Sequence, residues 1–404
     1  MAETKSITVR MYNVGFGDSF LVMIPGANRT HRVLVDCGAH SLGPGPVSMK
    51  EMVHQIISDV KDADGKSRID VVVCTHRHRD HVSGFQNALW NRVEVGEVWM
   101  PWTEHPTDGL ARRIREAQSQ RAQSLNLALA RLGADDGMMA IAENSLTNAR
   151  AMQMLHKGFL NVRRRRFLPV EKKSGRSFST PLLPNVEIHV LGPSRDENVI
   201  RDMEPTKGES YLQFLLSRTV STSGRVRPFR EDWIMKPGLY RRSFGHMELT
   251  KAQQSSVENV GSGTDFDLVT KLEKAVNGTS LMLMFVCGRA HLLFSGDAQW
   301  GTWSAALADP EWSEMLSKTT FYKVGHHASH NATPRAFVEK HLSKKFSAMV
   351  STRFVKKWPE IPRGPLLSAL RARSNRVVRS DESDVPDAGG FKRKPLYVET
   401  TLAV

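Results

Sequence analysis

At 404 residues, 40% hydrophobic and 24% charged, the chain has an ordinary folded composition and the length for one large domain or two modest ones. No apolar run reaches the eighteen or so residues of a membrane span, and the N-terminal stretch lacks the apolar core of a secretory signal. Lys and Arg outnumber Asp and Glu by 56 to 42, a formal charge of +14, which excludes little but draws polyanions, nucleic acid first among them.

Such an excess can equally serve solubility alone. Cys37, Cys74 and Cys287 each lie in an apolar, strand-like context and make no metal-binding pair. They read as buried free thiols of a reducing compartment, with the cytoplasm as the expected location.

Residues 6–12 alternate as a half-buried strand, Asn13-Val-Gly-Phe-Gly-Asp-Ser19 reads as a glycine-bearing turn, and Phe20–Ile24 resumes the strand. Arg32–Gly38 predicts another strand, ending in Asp36 and Gly38. Residues 50–60 carry helical spacing through Met52, Val53, Ile56, Ile57 and Val60. Next comes the most informative stretch, Ile69 to Gly84. Its β-branched run Val71–Val73 predicts a buried strand, and His76, His78, Asp80 and His81 follow directly. Imidazole and carboxylate ligands suit Zn²⁺, Fe²⁺ or Mn²⁺, and a loop leaving a strand can hold several of them. A merely solvated polar loop is the alternative.

Thr75-His-Arg-His-Arg-Asp-His81 resembles the HxHxDH motif of the metallo-β-lactamase superfamily. The resemblance implies a four-layer αββα sandwich and two divalent transition metals, zinc or manganese with iron as a further choice. It places His76 and His78 on one metal and Asp80 and His81 on the other. Asn13–Ser19 further resembles a signature of the metallo-β-lactamase domain in competence-type DNA-uptake proteins. Leu34-Val-Asp-Cys-Gly38 is similar to the superfamily's early D-x-G segment, which implies that Asp36 supports the metal loop by hydrogen bonds. Asp18 is expected to do the same, or to be a plain turn carboxylate.

About 106–160 the chain turns helical and charged, longer than a minimal sandwich requires. Arg163, Arg164, Arg165 and Arg166 follow beside the strand pattern Phe167–Val170, as a solvated run or a phosphate-binding rim. Val186–Pro193 reads as strand and turn. About 195–275 reads as a large basic insertion of an otherwise single domain spanning 1–404. Its cations, Arg225 and Arg227 among them, and its aromatics suit nucleic acid or simply a solvated face.

Asn277–Gly288 and His291–Asp297 predict paired strands. Ser295-Gly-Asp297-Ala resembles the superfamily segment whose Asp bridges both metals, which implies that role for Asp297. Lys323-Val-Gly-His-His-Ala-Ser329 is similar to a segment of the DNA-uptake group, with Ala328 in place of glycine. One of His326 and His327 is then a ligand, His326 slightly favoured, and the other contacts phosphate or protonates a leaving oxygen. Lys323 is expected to reach the phosphate or to sit at the surface. Two departures stand out. No convincing mid-chain ligand appears among His105, His156, His189 and His246, and Ile361-Pro362 stands where the group often has His-Pro.

The expected activity is hydrolysis of phosphodiesters in DNA or RNA, with Asp80 and Asp297 handling the water. The alternatives are a small-molecule metallohydrolase, acting on a phosphodiester headgroup or lactone, and a non-catalytic metal-binding regulatory module.

Overall fold

The computed structural model describes residues 6–132, 140, 143–144, 148–170, 176–206, 208–211, 274–331, 333–383 and 390–404. Six strands come first: β1 (Ser6–Tyr12), β2 (Phe20–Pro25), β3 (Thr30–Val35), β4 (Arg68–Val73), β5 (Glu94–Pro101) and β6 (Arg164–Leu168). Then follow β7 (Ser177–Ser179), β8 (Glu187–Gly192), β9 (Met282–Cys287), β10 (Ala290–Phe294) and β11 (Phe321–Lys323). The last are β12 (Ser347–Val350), β13 (Val377–Arg379), β14 (Phe391–Lys394) and β15 (Tyr397–Ala403). The helices are α1 (Met49–Asp59), α2 (Arg79–Val82), α3 (Gly109–Leu132), α4 (Ala149–Lys157), α5 (Glu197–Arg201), α6 (Trp300–Ala308), α7 (Pro310–Ser317) and α8 (Gly364–Arg373).

The strands make two mixed sheets, ordered 14-15-1-2-3-4-5-6 and 13-12-11-10-9-8-7. In the first, pairing is antiparallel from β1 to β3 and parallel from β3 to β6. In the second it is antiparallel from β7 to β10 and parallel from β10 to β13.

Strand alternation decides what faces what. Ile7, Val9, Phe20, Val22, Val33, Val35, Val71 and Val73 meet Leu283, Phe285, Leu292, Phe294, Phe321 and Met349 in one core between the sheets. Leu21, Leu34 and Val72 face the other way, onto Met52, Val53 and Ile56 of α1 and Ala151 and Leu155 of α4. Met284, Leu293, Tyr322 and Ala348 of the second sheet cover Trp303, Ala306, Leu316, Leu366 and Leu370 from α6, α7 and α8. The layers therefore run helix, sheet, sheet, helix, a mixed α/β arrangement compatible with a sandwich. Each Val, Leu, Ile, Met or Phe among them contributes roughly 1.5–3 kcal/mol by burial, which outweighs helix propensity in short elements. Helix α1 is also started locally: Ser48 caps it and Glu51 returns a bond to the Ser48 backbone, a complete capping box.

Three of the four arginines, Arg164 to Arg166, lie in β6 itself rather than flanking it. As the last strand of its sheet, β6 presents charges where an apolar edge would recruit other strands. Arg166 donates to Glu97 at 2.7 and 3.0 Å, and Arg165 donates to the carbonyls of Leu155 and Gly158 at 2.9 and 2.8 Å. Arg163 and Arg164 are exposed. Arg225, Arg227 and His246 lie outside the described residues. The three cysteines are buried free thiols, and no helix among the described residues is long and apolar enough to cross a membrane.

Because β3, β4 and β10 to β12 are each parallel to a neighbour, their carboxyl ends gather the loops that follow them. In open α/β sheets this edge is where ligands sit. Here those loops carry Asp36, His76 to His81, Asp297, His326 and His327, and Ser351.

Candidate metal centre

The metal-type loop is held from beneath before any ligand is considered. Beyond β4, the Thr75 amide and hydroxyl donate to the two carboxylate oxygens of Asp36, at 2.7 and 2.6 Å. Asp36 itself takes a left-handed backbone, φ 57°. The Cys37 amide donates to the His81 carbonyl at 2.8 Å and the Asp18 amide to the Asp80 carbonyl at 2.9 Å. Two glycines make this contact close enough. A Cβ on Gly38 would stand 2.5 Å from the His81 nitrogen, and one on Gly17 would stand 2.3 Å from the Gly38 oxygen.

Around this support the histidines and aspartates converge from both sheets. His81 is fixed by Asp36, whose Oδ2 lies 2.8 Å from Nδ1, so that Nε2 faces Asp297 Oδ2 at 3.2 Å. His76 Nε2 lies 3.1 Å from His78 Nδ1 and 4.0 Å from the same Asp297 oxygen. From the other direction His326 Nε2 also stands 4.0 Å from it. His327 directs Nδ1 at the Ser351 carbonyl, 2.8 Å, and Nε2 at Asp80 Oδ2, 3.2 Å. Asp80, His81, Asp297 and His327 each offer an atom within 4.8 Å of the others, and all four are buried. Such a donor set of imidazoles and carboxylates suits a divalent transition metal. Asp80 Oδ1 is buried with no hydrogen-bond partner, a cost that a cation would remove.

Asp297 divides its two oxygens. Oδ1 accepts the His326 amide at 3.0 Å and faces Lys323 Nζ at 3.5 Å, while Oδ2 faces the imidazoles. Lys323, expected at the substrate or the surface, is instead 2% exposed. It is ion-paired with Asp18 and bonded to the Gly296 carbonyl at 3.1 Å.

His326, His327 and Ala328 are three successive non-glycine residues in the left-handed region, at φ 46°, 52° and 64°. Each costs about 1–2 kcal/mol, strain that persists where the surroundings enforce it and that clusters at functional sites.

The electrostatics also call for added cations. Burial holds His76 well below its usual pKa and brings His78 to about 4. Burial disfavours charge on His81 as well, yet Asp297, Asp80, Asp36 and Asp18 together raise its pKa well above normal. His327 is raised in the same way, against burial, by Asp80 and Asp18. Burial opposes ionisation of Asp80 and Asp297, but their cationic neighbours, His81 foremost, hold both well below the usual range. The buried carboxylates thus favour positive charge on the facing imidazoles, a place that a metal ion could take.

The centre forms the floor of a cavity of about 210 Å³. His78, Asp80, Asp297 and His326 reach it, with walls from Phe16, His40, Trp358 and Ile361 and with Lys274 and Glu360 at its margin. Lys323 is not among its lining residues, whereas His330 is, 3.7 Å from Glu204. Of the mid-chain histidines, His105 bonds its own loop, His156 stands 3.8 Å from Glu104, and His189 3.4 Å from Glu187. None of these three lines the cavity. Sequence reasoning missed His40, 2% exposed with its pKa lowered to about 4 by burial. Its only signal was proximity to Asp36. Asn277 and Asn331, which flank His326 at 3.3 and 3.2 Å, were also missed.

A scan against protein-family models finds no match, and a search of curated proteins finds none either.

Proposed function

We propose that this chain is a metal-dependent hydrolase of the metallo-β-lactamase superfamily, with an αββα fold of that type, and that it cleaves phosphodiester bonds, nucleic acid being the favoured substrate. One observation carries the reading: Asp80, His81, Asp297 and His327, from segments more than 200 residues apart, each offer an atom within 4.8 Å of the others, and Asp297 Oδ2 lies 3.2 Å from His81 Nε2 and 4.0 Å from His76 Nε2. In this reading His76, His78 and Asp297 hold one ion, and Asp80, His81, His327 and Asp297 hold the second.

The hydrogen-bond posture favours His327 over His326 as ligand. A ligating imidazole usually gives its other N–H to a carbonyl or carboxylate, as His327 does with Ser351. His326, 21% exposed at the cavity, is left to contact the phosphate or protonate the leaving oxygen. Such metals supply a water acidic enough to ionise near neutral pH and polarise a phosphoryl oxygen. Asp80, as a ligand of the second ion, would help to orient such a water. Asp36 fixes the His81 ring, and Lys323 adds to His81 and His326 in keeping Asp297 ionised.

A polyanionic substrate is supported by the +14 charge and by the loop that closes the cavity. Before Trp358, Glu360 and Ile361 reach the wall, this loop exposes Arg353, Lys356 and Lys357, with Phe354 at 61% exposure between them. Cations interleaved with an exposed aromatic suit a single strand, one neutralising phosphate and the other stacking on a base.

The cavity favours a second reading. It is small and walled by Phe16, Trp358 and Ile361, and Lys274 is the one lysine or arginine of its lining among the described residues. That suits a small phosphodiester. Metal-loaded protein assayed in parallel on single-stranded DNA, RNA and bis(p-nitrophenyl) phosphate separates the readings. Cleavage of the small ester alone rejects the nuclease, and cleavage of none rejects both.

A further inference from the structure

We propose that His40 is a substrate contact that donates a hydrogen bond from Nε2 to a phosphoryl oxygen held over the metal centre. The proposal rests on the metallohydrolase reading and adds a residue to it.

The geometry fixes which nitrogen carries the proton. The Leu42 amide donates to His40 Nδ1 at 3.1 Å. A backbone amide is only a donor, so Nδ1 offers its lone pair, and in the neutral ring the hydrogen is on Nε2. This tautomer cannot bind a metal through Nε2, which separates His40 from the imidazoles around Asp297. Nε2 is nevertheless buried with no hydrogen-bond partner. Leaving a buried donor unmade is costly, so the arrangement makes sense where something outside the protein completes it.

The ring is not free to turn away. The His40 amide donates to the Phe16 carbonyl at 2.7 Å, and the ring meets Phe16 and Trp358 edge-on, at 6.1 and 5.0 Å between centroids. All three side chains line the cavity above Asp80 and His78. The neighbouring charges are Asp80, Arg79 and His327. An uncharged N–H between aromatic walls gives a phosphoryl oxygen a donor without adding a second cation beside the metals.

The test uses the purified chain loaded with zinc or manganese and inorganic phosphate as the probe. Titration calorimetry compares wild type, H40F and H40Q, with metal content and thermal unfolding measured on each. H40F keeps the ring's bulk and removes the donor, whereas H40Q restores an N–H. Loss of a hydrogen bond to a charged oxygen should weaken phosphate binding about 10- to 100-fold in H40F, with metal content unchanged, and H40Q should recover much of it. The same order should appear in kcat/KM on bis(p-nitrophenyl) phosphate. Undiminished phosphate binding by folded H40F overturns the assignment, as does loss of metal from H40F or failure of metal-loaded wild type to bind phosphate. Wild type that takes up no metal removes the hydrolase reading, and the role of His40 with it.

Discussion

The two adjacent histidines after β11 turn their rings to different partners, and on the proposed reading they would do different work. His327 gives Nδ1 to a main-chain carbonyl and turns Nε2 to Asp80, while His326 lies between Asn277 and Asn331. His327→Ala should therefore lose about one metal per chain and regain some activity in excess metal. His326→Ala should keep both metals and lose roughly 10²–10⁴-fold in kcat, the range for a general acid. Metal analysis and rate measured on the same preparations check this, and the reverse pattern would exchange the roles. From the sequence alone the pair looks nearly equivalent, since both residues follow the strand within two positions of Gly325. Ring direction depends on Ser351, Asn277 and Asn331, which no local pattern names.

The element that matters most is the loop between β4 and α2, and its support is mechanical. Gly38→Ala should cost stability and metal together, since its Cβ would stand 2.5 Å from the His81 nitrogen and 2.6 Å from the Arg79 oxygen. Overpacking of this kind typically costs about 1–3 kcal/mol. Retention of wild-type unfolding temperature and metal content would show that the loop tolerates displacement.

The same loop is tied outward by Arg77, bidentate to Glu104 at 2.8 and 2.6 Å. Burial alone would raise the Glu104 pKa, but Arg77 and His156 bring it down to about 2. A depressed carboxylate pKa stabilises the fold above the unfolded-state value and loses that contribution as pH falls through the folded one. Glu104→Gln should thus destabilise by about 3 kcal/mol at pH 7. Its gap to wild type should close as pH falls from about 4.5 towards 2, followed by denaturant melts across that range. A gap that stays constant would deny the pair its role. Much of this half was legible: β1, β2, β3, α1 and β4 lie where alternation, helical spacing and the Val71–Val73 run put them, because those signals are local. Arg164–Arg166 as an edge strand was not, because edge position is a property of the completed sheet. Nor was the burial of Lys323, which depends on Asp18 from the far end of the chain.

For the whole molecule, two sheets presenting their carboxyl ends to one edge explain how segments so distant in sequence share one site. The excess charge then becomes a question of where the cations stand. If the 353–357 loop guides a single strand into the cavity, replacing Arg353 and Lys356 by Ser should flatten the salt dependence of oligonucleotide binding. The expected change is roughly 0.7 in log–log slope for each phosphate that is no longer neutralised, with hydrolysis of a small ester unaffected. An unchanged slope would move the polyanion-binding surface elsewhere, with Arg225 and Arg227 next to be tested.

The proposed metal centre would depend on Asp297 serving two ions at once. The most direct measurement is elemental analysis of purified wild type and Asp297→Ala after equilibration with zinc or manganese and removal of loose metal. Two ions per chain in wild type, falling to less than one in the variant, is the predicted result, because one carboxylate oxygen faces both groups of imidazoles. Wild type that retains no metal, or an Asp297→Ala protein that still retains two, would contradict it.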